Sequence, residues 1–247
     1  YPRRLLLANG GRFVIRNCIL EGDTIGSDTP IEPLVEWAGD DFEAGAVTSC
    51  LIDSSMLSSP VTPLRASLGN RQLYLRNSIV TGLREGISVS IASGAQGWLV
   101  LDSSTLAPSA ECLAFSFDAV PQGTINVWAN ESVFGPPLQA DATPATVSIA
   151  GGSDGVLWWE DRCGYSDRRS GGIAGVGWGN LRADGHALRF AEGVRAVLLA
   201  ATLPEPRDLT VVAFQLAPDC DAAHWDAAGG EIGANVVQVG PQAVEPP

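Results

Sequence analysis

Carboxylates are the side chains of this chain that are best suited to chemistry. Glycoside hydrolysis needs two acids about 5–9.5 Å apart across a cleft, and uronate β-elimination typically needs calcium-binding carboxylates with a basic residue. Such acids should recur at outward positions of one sheet on neighbouring coils of a repeat. No cluster recurs in that way in the repeat alignment, so we predict no catalytic set; the clusters are Asp40/Asp41/Glu43, Glu160/Asp161 and Asp219/Asp221/Asp226.

Glu160 raises a separate question because it interrupts an apolar column of the repeat. A one-residue shift of the segment "WWEDR" at its corner would explain the interruption. Arg162 would then be a natural partner for the local acids. We therefore expect a structural role for Glu160 rather than a catalytic one.

Histidine and cysteine give no metal or nucleophile pattern. His186 and His224 lie in irregular stretches, and no G-x-S-x-G motif accompanies them. No C-x-x-C or Cys/His ligand spacing occurs, so we expect no zinc site. The cysteines could form a disulfide between coils or remain free core thiols, and free thiols are favoured. In the repeat alignment, Cys18, Cys50 and Cys163 share a column with serines, Cys112 opens a strand and Cys220 lies in the tail.

Tryptophan is the other residue type that could recognise a ligand. The chain has seven, and such rings can stack on sugars or simply pack against loops. Packing is the default expectation for Trp37, Trp98 and Trp128, which lie on or beside predicted strands. Trp158 and Trp159 are consecutive, so in a strand they face opposite ways and one must point outward.

Charge and composition exclude several functions. The net charge is −13 and every basic residue is Arg, so the chain has no Lys. An acidic surface repels nucleic acid, and the lack of Lys excludes a Walker A loop and a Schiff base. No apolar run is long enough to span a bilayer. The chain begins at Tyr1 with its only Met at 56, so we expect it to be part of a longer polypeptide.

A repeat positions these residues. Echoes of "FVIRNCILEG" recur at intervals of 26 to 32 residues, which is typical of a stacked array. We take the Cys or Ser at the centre of each echo as its anchor. An apolar residue stands two positions after each anchor, and a bend in front of the anchor would join two short strands. The anchors are Cys18, Cys50, Ser78, Ser104, Ser132 and Cys163, and the apolar positions are Leu20, Ile52, Val80, Leu106, Phe134 and Tyr165.

Three strands per repeat predict an all-β fold, a right-handed parallel β-helix with an irregular C-terminal cap. Its coils should span 1–190, and 191–247 should form the cap and tail. That tail should contain a short helix within 192–203 and a last strand at 209–216. An antiparallel sandwich or propeller is the competing architecture, and the shared Cys/Ser column argues against it.

The rungs "VIRNCIL" and "YLRNSIV" resemble those of the pectin-lyase-like superfamily of right-handed parallel β-helices. The segment from Phe214 to Pro241, with "EIGAN" at Glu231, resembles the closing segment of bacterial β-helix proteins. With "PLVEW", it is similar to β-helix regions carboxy-terminal to large bacterial Ser/Thr protein kinases. The resemblance implies a kinase upstream. Of the polygalacturonase-like set of motifs only "DD" at Asp40–Asp41 is present, and a solvated loop explains it better.

We therefore predict a non-catalytic β-helix scaffold, or a ligand- or carbohydrate-binding accessory module, of a larger bacterial protein. A polysaccharide lyase or glycoside hydrolase on the same scaffold is the alternative. Three carboxylates, or a carboxylate–Arg set, converging outside one sheet would favour the enzyme. We predict no catalytic, cofactor or metal residues, and a carbohydrate or cell-surface polymer as partner. The compartment stays open; an extracytoplasmic position in a membrane-anchored protein is one hypothesis.

Overall fold

The computed structural model describes residues 5–22, 32–38, 48–82, 84–108, 111–118, 123–135, 147–150, 155–165, 181–183, 189–190, 196–198, 211–216, 221–224, 226, 228 and 230–241. Its strands form three sheets of seven strands each, and every pairing between them is parallel. Each of seven successive coils contributes one strand to each sheet. This arrangement is a parallel β-helix, as predicted, and it rules out the antiparallel alternative.

The first sheet contains β1 (Leu6–Asn9), β4 (Val35–Ala38), β7 (Leu64–Ser67), β10 (Ile87–Ile91), β13 (Leu113–Phe117), β16 (Val147–Ala150) and β19 (Leu181–Ala183). The second contains β2 (Phe13–Arg16), β5 (Thr48–Asp53), β8 (Arg71–Arg76), β11 (Gln96–Asp102), β14 (Thr124–Asn130), β17 (Val156–Asp161) and β20 (Arg189–Phe190). The third contains β3 (Ile19–Glu21), β6 (Met56–Ser59), β9 (Ile79–Gly82), β12 (Thr105–Leu106), β15 (Val133–Phe134), β18 (Cys163–Tyr165) and β21 (Ala196–Leu198).

The core is a narrow shaft of stacked apolar columns. Along strands of the second sheet, buried and partly exposed residues alternate, as in β11 and β14, because successive side chains of a strand point to opposite faces. One inward column runs through Phe13, Cys50, Leu73, Leu99, Val127 and Trp158. The next runs through Ile15, Ile52, Leu75, Leu101, Ala129 and Glu160.

The register corrects the predicted alignment of the second coil. Ser55, not Cys50, follows its corner, because Met56 pairs with Ile19 and Cys50 pairs with Phe13. The +2 position of that coil is Leu57 rather than Ile52. The error came from matching Cys50 to Cys18 by residue type. The residue that corresponds to Cys18 in the second coil is Ser55, which lies 37 residues later. Cys50 is a core thiol, and burial raises its pKa to about 12.

The predicted bend between the second and third sheets is a single residue in the left-handed conformation. Six corner residues have φ between 45° and 53°, a region that Asn tolerates better than most residues. The backbone N–H of each of the first five donates to a carbonyl of the next coil, so the strained conformation is held by stacking. The corner residues are Asn17, Ser54, Asn77, Ser103, Glu131 and Arg162.

A ladder of small polar side chains follows these corners. Ser78 Oγ accepts from the backbone N–H of Ser55 at 3.3 Å and donates to the carbonyl of Arg76 at 2.8 Å. Ser104 and Ser132 repeat both bonds. Cys18 and Cys163 occupy the ends of the ladder, and their thiols donate to the carbonyls of Arg16 and Asp161. The four described cysteines are free thiols, as favoured.

Two predictions for the C-terminal part are wrong. Residues 196–198 of the predicted helix form β21, which pairs with β18 and so extends the coils beyond 190; a short apolar run fits either element. The predicted last strand at 209–216 contains instead a 3₁₀ helix, Val211–Phe214. Two more, Asp221–His224 and Val236–Gln238, follow it. None of the helices in the described part of the chain is long and apolar enough to cross a membrane.

The described tail lies along the side of the solenoid rather than over its end. Gly233 donates to the Glu131 carbonyl at 2.6 Å, Asn235 to Asn77 Oδ1 at 2.6 Å, and Gly240 to the Ser54 carbonyl at 2.8 Å. The tail thus runs from the fifth coil back to the second. It covers an apolar outer face of the third sheet, with a buried cluster of Met56, Ile79, Ala107, Val133, Phe214, Leu216, Ile232, Ala234, Val236 and Val239.

Candidate functional site

The outer face of the second sheet carries an aromatic pair. Trp128 of β14 and Trp159 of β17 are in register, and their ring centroids are 4.8 Å apart with an interplanar angle of 23°. Both occupy outward positions, since Trp158 on the opposite face is buried. The expectation that one of Trp158 and Trp159 points outward is confirmed. Trp128 is 51% exposed, which is unusual for so large an apolar side chain.

One face of the Trp128 ring is open. Because Trp159 covers one face, the other is directed towards the preceding coil, where the paired residue is the much smaller Val100. A groove of about 390 Å³ lies here, within the usual size range of small-molecule sites. Its lining comprises Val100, Leu101, Asp102, Trp128, Ala129, Asn130, Trp159, Glu160 and Asp161.

Polar side chains form one rim of this groove. Asp102, Asn130 and Asp161 end β11, β14 and β17 and pair in one column. Asn130 Nδ2 donates to Asp102 Oδ1 at 2.8 Å. Arg162 Nη2 lies 2.9 Å from Asp161 Oδ2, and its Nε lies 3.0 Å from Glu131 Oε1. The predicted pairing of Arg162 with local acids is therefore confirmed, although Glu160 is not among them.

The same column continues towards the N-terminus as a charge ladder. The side chain of Asp53 is 6% exposed and lies 2.8 Å from both Arg16 Nε and Arg76 Nη2. The hydrogen bond from Arg76 lowers the pKa of Asp53. Asp53, Asp102 and Asp161 share this column on alternate coils, with Arg76 and Asn130 on the coils between them. The misaligned second coil concealed Asp53.

Glu160 contributes to the groove wall, but its carboxylate belongs to the core. It pairs with Ala129 without the proposed one-residue shift and is 7% exposed. Trp158 Nε1 donates to Glu160 Oε2 at 2.9 Å, and the Tyr165 hydroxyl donates to the same oxygen. Burial raises the pKa of Glu160, although these two bonds partly oppose the rise. The small side chain of Ala129 leaves space beside this carboxyl in the neighbouring coil.

The other predicted candidates are not brought together with the groove. Asp40, Asp41, Glu43, Asp219, Cys220 and His186 lie outside the described residues. The Asp226 carboxylate accepts bonds from the backbone N–H groups of Ala228 and Gly230, which closes a turn. His224 is exposed at the end of a 3₁₀ helix. Among the described residues, no three His, Cys, Asp or Glu side chains are grouped to hold a metal ion.

The outward residues of a single coil do not reveal the groove, because it is formed by residues from successive coils. The signal was present in the outward column Val14, Leu51, Tyr74, Val100, Trp128 and Trp159, which ends in two aromatic residues one coil apart. Comparison with known proteins gives no further guide, since no family model, curated protein or solved structure matches this chain. The function must therefore be argued from the groove itself.

Proposed function

We propose that this chain is a non-catalytic, carbohydrate-binding β-helix module of a larger protein. The observation that carries the proposal is the open face of Trp128, stacked on Trp159 and bordered by a polar rim. The apolar face of a pyranose ring stacks on such an aromatic surface, while its hydroxyls need hydrogen-bonding partners at the edge. Asp102 and Asn130 supply these partners beside the ring.

Rigidity supports this assignment. Trp128 and Trp159 lie on strands paired within a seven-stranded sheet, not on loops, and each ring restricts the other. A binding surface that is already ordered loses less conformational entropy when the ligand arrives. The kinase-associated bacterial context remains a prediction of the sequence resemblance, and the groove does not bear on it.

A glycoside hydrolase is a second candidate, because Asp102 and Asp161 flank the groove two coils apart. Strands about 4.8 Å apart place their backbones roughly 9.5 Å from each other, at the upper limit for an inverting pair. Against this, Asn130 donates to Asp102 and Arg162 to Asp161, so both carboxylates serve as acceptors. A lyase would need a side chain placed to abstract a proton, and the Arg162 guanidinium is instead held between two acids.

The test is oligosaccharide binding measured by calorimetry and Trp fluorescence for the wild type, Trp128→Ala and Trp98→Ala. Trp98 is the matched control: it lies outward on β11 in a neighbouring column and does not line the groove. Removing the central aromatic residue of a binding surface should weaken binding by more than about 1 kcal/mol, whereas Trp98→Ala should bind like the wild type. Equal binding by all three proteins would refute the proposal. Release of new reducing ends, abolished in Asp102→Asn, would establish the hydrolase instead.

A further inference from the structure

The groove has a chemical bias that narrows the class of glycan. Its rim presents oxygen acceptors: the carboxylates of Asp102 and Asp161, and the carbonyl of Asn130, whose amide already donates to Asp102. Two arginines lie beside it, and acids engage both: Arg162 is held between Glu131 and Asp161, and Arg76, in register with Asp102, donates to Asp53. The rim therefore offers acceptors to a ligand more readily than charged donors.

The charge of the surroundings acts in the same direction. Asp102, Glu131 and Asp161 lie at or beside the rim with Arg162, and Arg76, which is in register with Asp102, is bonded to Asp53. The whole chain carries a net charge of −13. A uronate would place its carboxylate against these acids, and like charges at an interface oppose binding. A protonated amino group would instead be attracted by these acids, and the adjacent indole face of Trp128 attracts cations as well.

We propose that the ligand is a glycan with free amino groups, such as a glucosamine polymer. One pyranose ring stacks on the open face of Trp128, and its ammonium group lies at Asp102, whose coil this face is directed towards. Asp161 lies two coils from Asp102 and acts on the ligand only through its charge. This inference rests on the proposed carbohydrate-binding function and extends it, because it excludes the polyuronates that the β-helix scaffold would otherwise suggest.

The experiment compares three oligosaccharides of equal length: β-1,4-linked glucosamine, its N-acetylated form, and galacturonate. Binding is measured by calorimetry at about pH 6, where the amine is largely protonated, at low and at high salt. We expect the glucosamine oligomer to bind about tenfold more tightly than the N-acetylated one at low salt, equivalent to about 1.4 kcal/mol. High salt should reduce this difference, because it screens exposed charges, and galacturonate should not bind.

Variants assign the preference to the rim. Asp102→Asn should remove most of the advantage of glucosamine while retaining binding of the N-acetylated oligomer. Asp161→Asn should reduce the advantage less, because Asp161 lies two coils away. Asp118→Asn is the control, since this acid is exposed beyond the end of β13, on the first sheet, and does not line the groove. It should leave the preference unchanged.

The possible failures are distinguishable. Equal binding of charged and neutral oligomers, tighter binding of galacturonate, or a preference that survives both rim variants would overturn the amino-glycan inference and leave the carbohydrate module standing. An absence of binding by all three oligosaccharides would overturn both proposals.

Discussion

The buried carboxyl of Glu160 should make this protein less stable as the pH rises. Burial raises its pKa above the ordinary value of 4.5, so the folded state keeps the proton at a pH where the unfolded chain has lost it. The stability associated with the neutral carboxyl is complete below pH 4.5. It declines from there until the pH reaches the pKa of the folded state, where the loss ends.

The size of this loss follows from proton linkage. Across that window the unfolding free energy should fall by about 1.4 kcal/mol per pH unit, because folding retains one proton that unfolding releases. Glu160→Gln should remove the slope while its amide oxygen still accepts from Trp158 Nε1 and the Tyr165 hydroxyl. Any cost of the new buried N–H group, about 1–3 kcal/mol, is independent of pH.

Urea unfolding at a series of pH values between about 4 and 9 measures the slope directly. Glu21→Gln is the matched control, since it removes the same charge from an exposed residue of β3. It corrects for the general repulsion of an acidic chain. If Glu160→Gln and Glu21→Gln show the same dependence on pH, the carboxyl of Glu160 is not the group responsible for the slope.

Two further predictions test the register and the tail. Cys163→Ser should change the unfolding free energy by less than about 1 kcal/mol, because serine already occupies the same ladder position in neighbouring coils. Cys50→Ser should instead cost about 1–3 kcal/mol, because it buries an unpaired hydroxyl in an apolar column. Equal costs of the two substitutions in denaturant titrations would contradict the register. Gly233→Ala should destabilise the protein more than Gly11→Ala. Both glycines have positive φ, but only a methyl group at position 233 would meet Thr105 Oγ1, at 2.7 Å. An equal decrease in melting temperature for the two variants would argue against the packed tail.

The core could be predicted from the sequence because each inward column repeats an apolar residue in several coils. Leu20, Val80 and Leu106 repeat one apolar position, and any three coils would reveal it. The second coil was aligned wrongly because its segment contains two plausible anchors, Cys50 and Ser55, five residues apart. Only backbone pairing distinguishes them, since both choices give an alternating pattern.

The tail was harder to predict because its partners lie far away in sequence. Its short 3₁₀ helices have no periodic pattern of their own, and β-branched residues such as Val211 suggest a strand. The available signal was on the third sheet, where Met56, Ile79 and Val133 are apolar at outward positions. An outward apolar column needs a cover, and the chain supplies one.

The groove depends on the same stacking that builds the core. Each rim residue stands two positions before a ladder residue, and the carbonyls of Asp102, Asn130 and Asp161 accept the bonds from Ser104, Ser132 and Cys163. The rim backbone is therefore fixed by the ladder, and Trp128 is fixed by Trp159 in the adjacent strand. Functional groups held on paired strands are positioned more accurately than groups on loops. This explains how Trp128 keeps a defined orientation although it is 51% exposed.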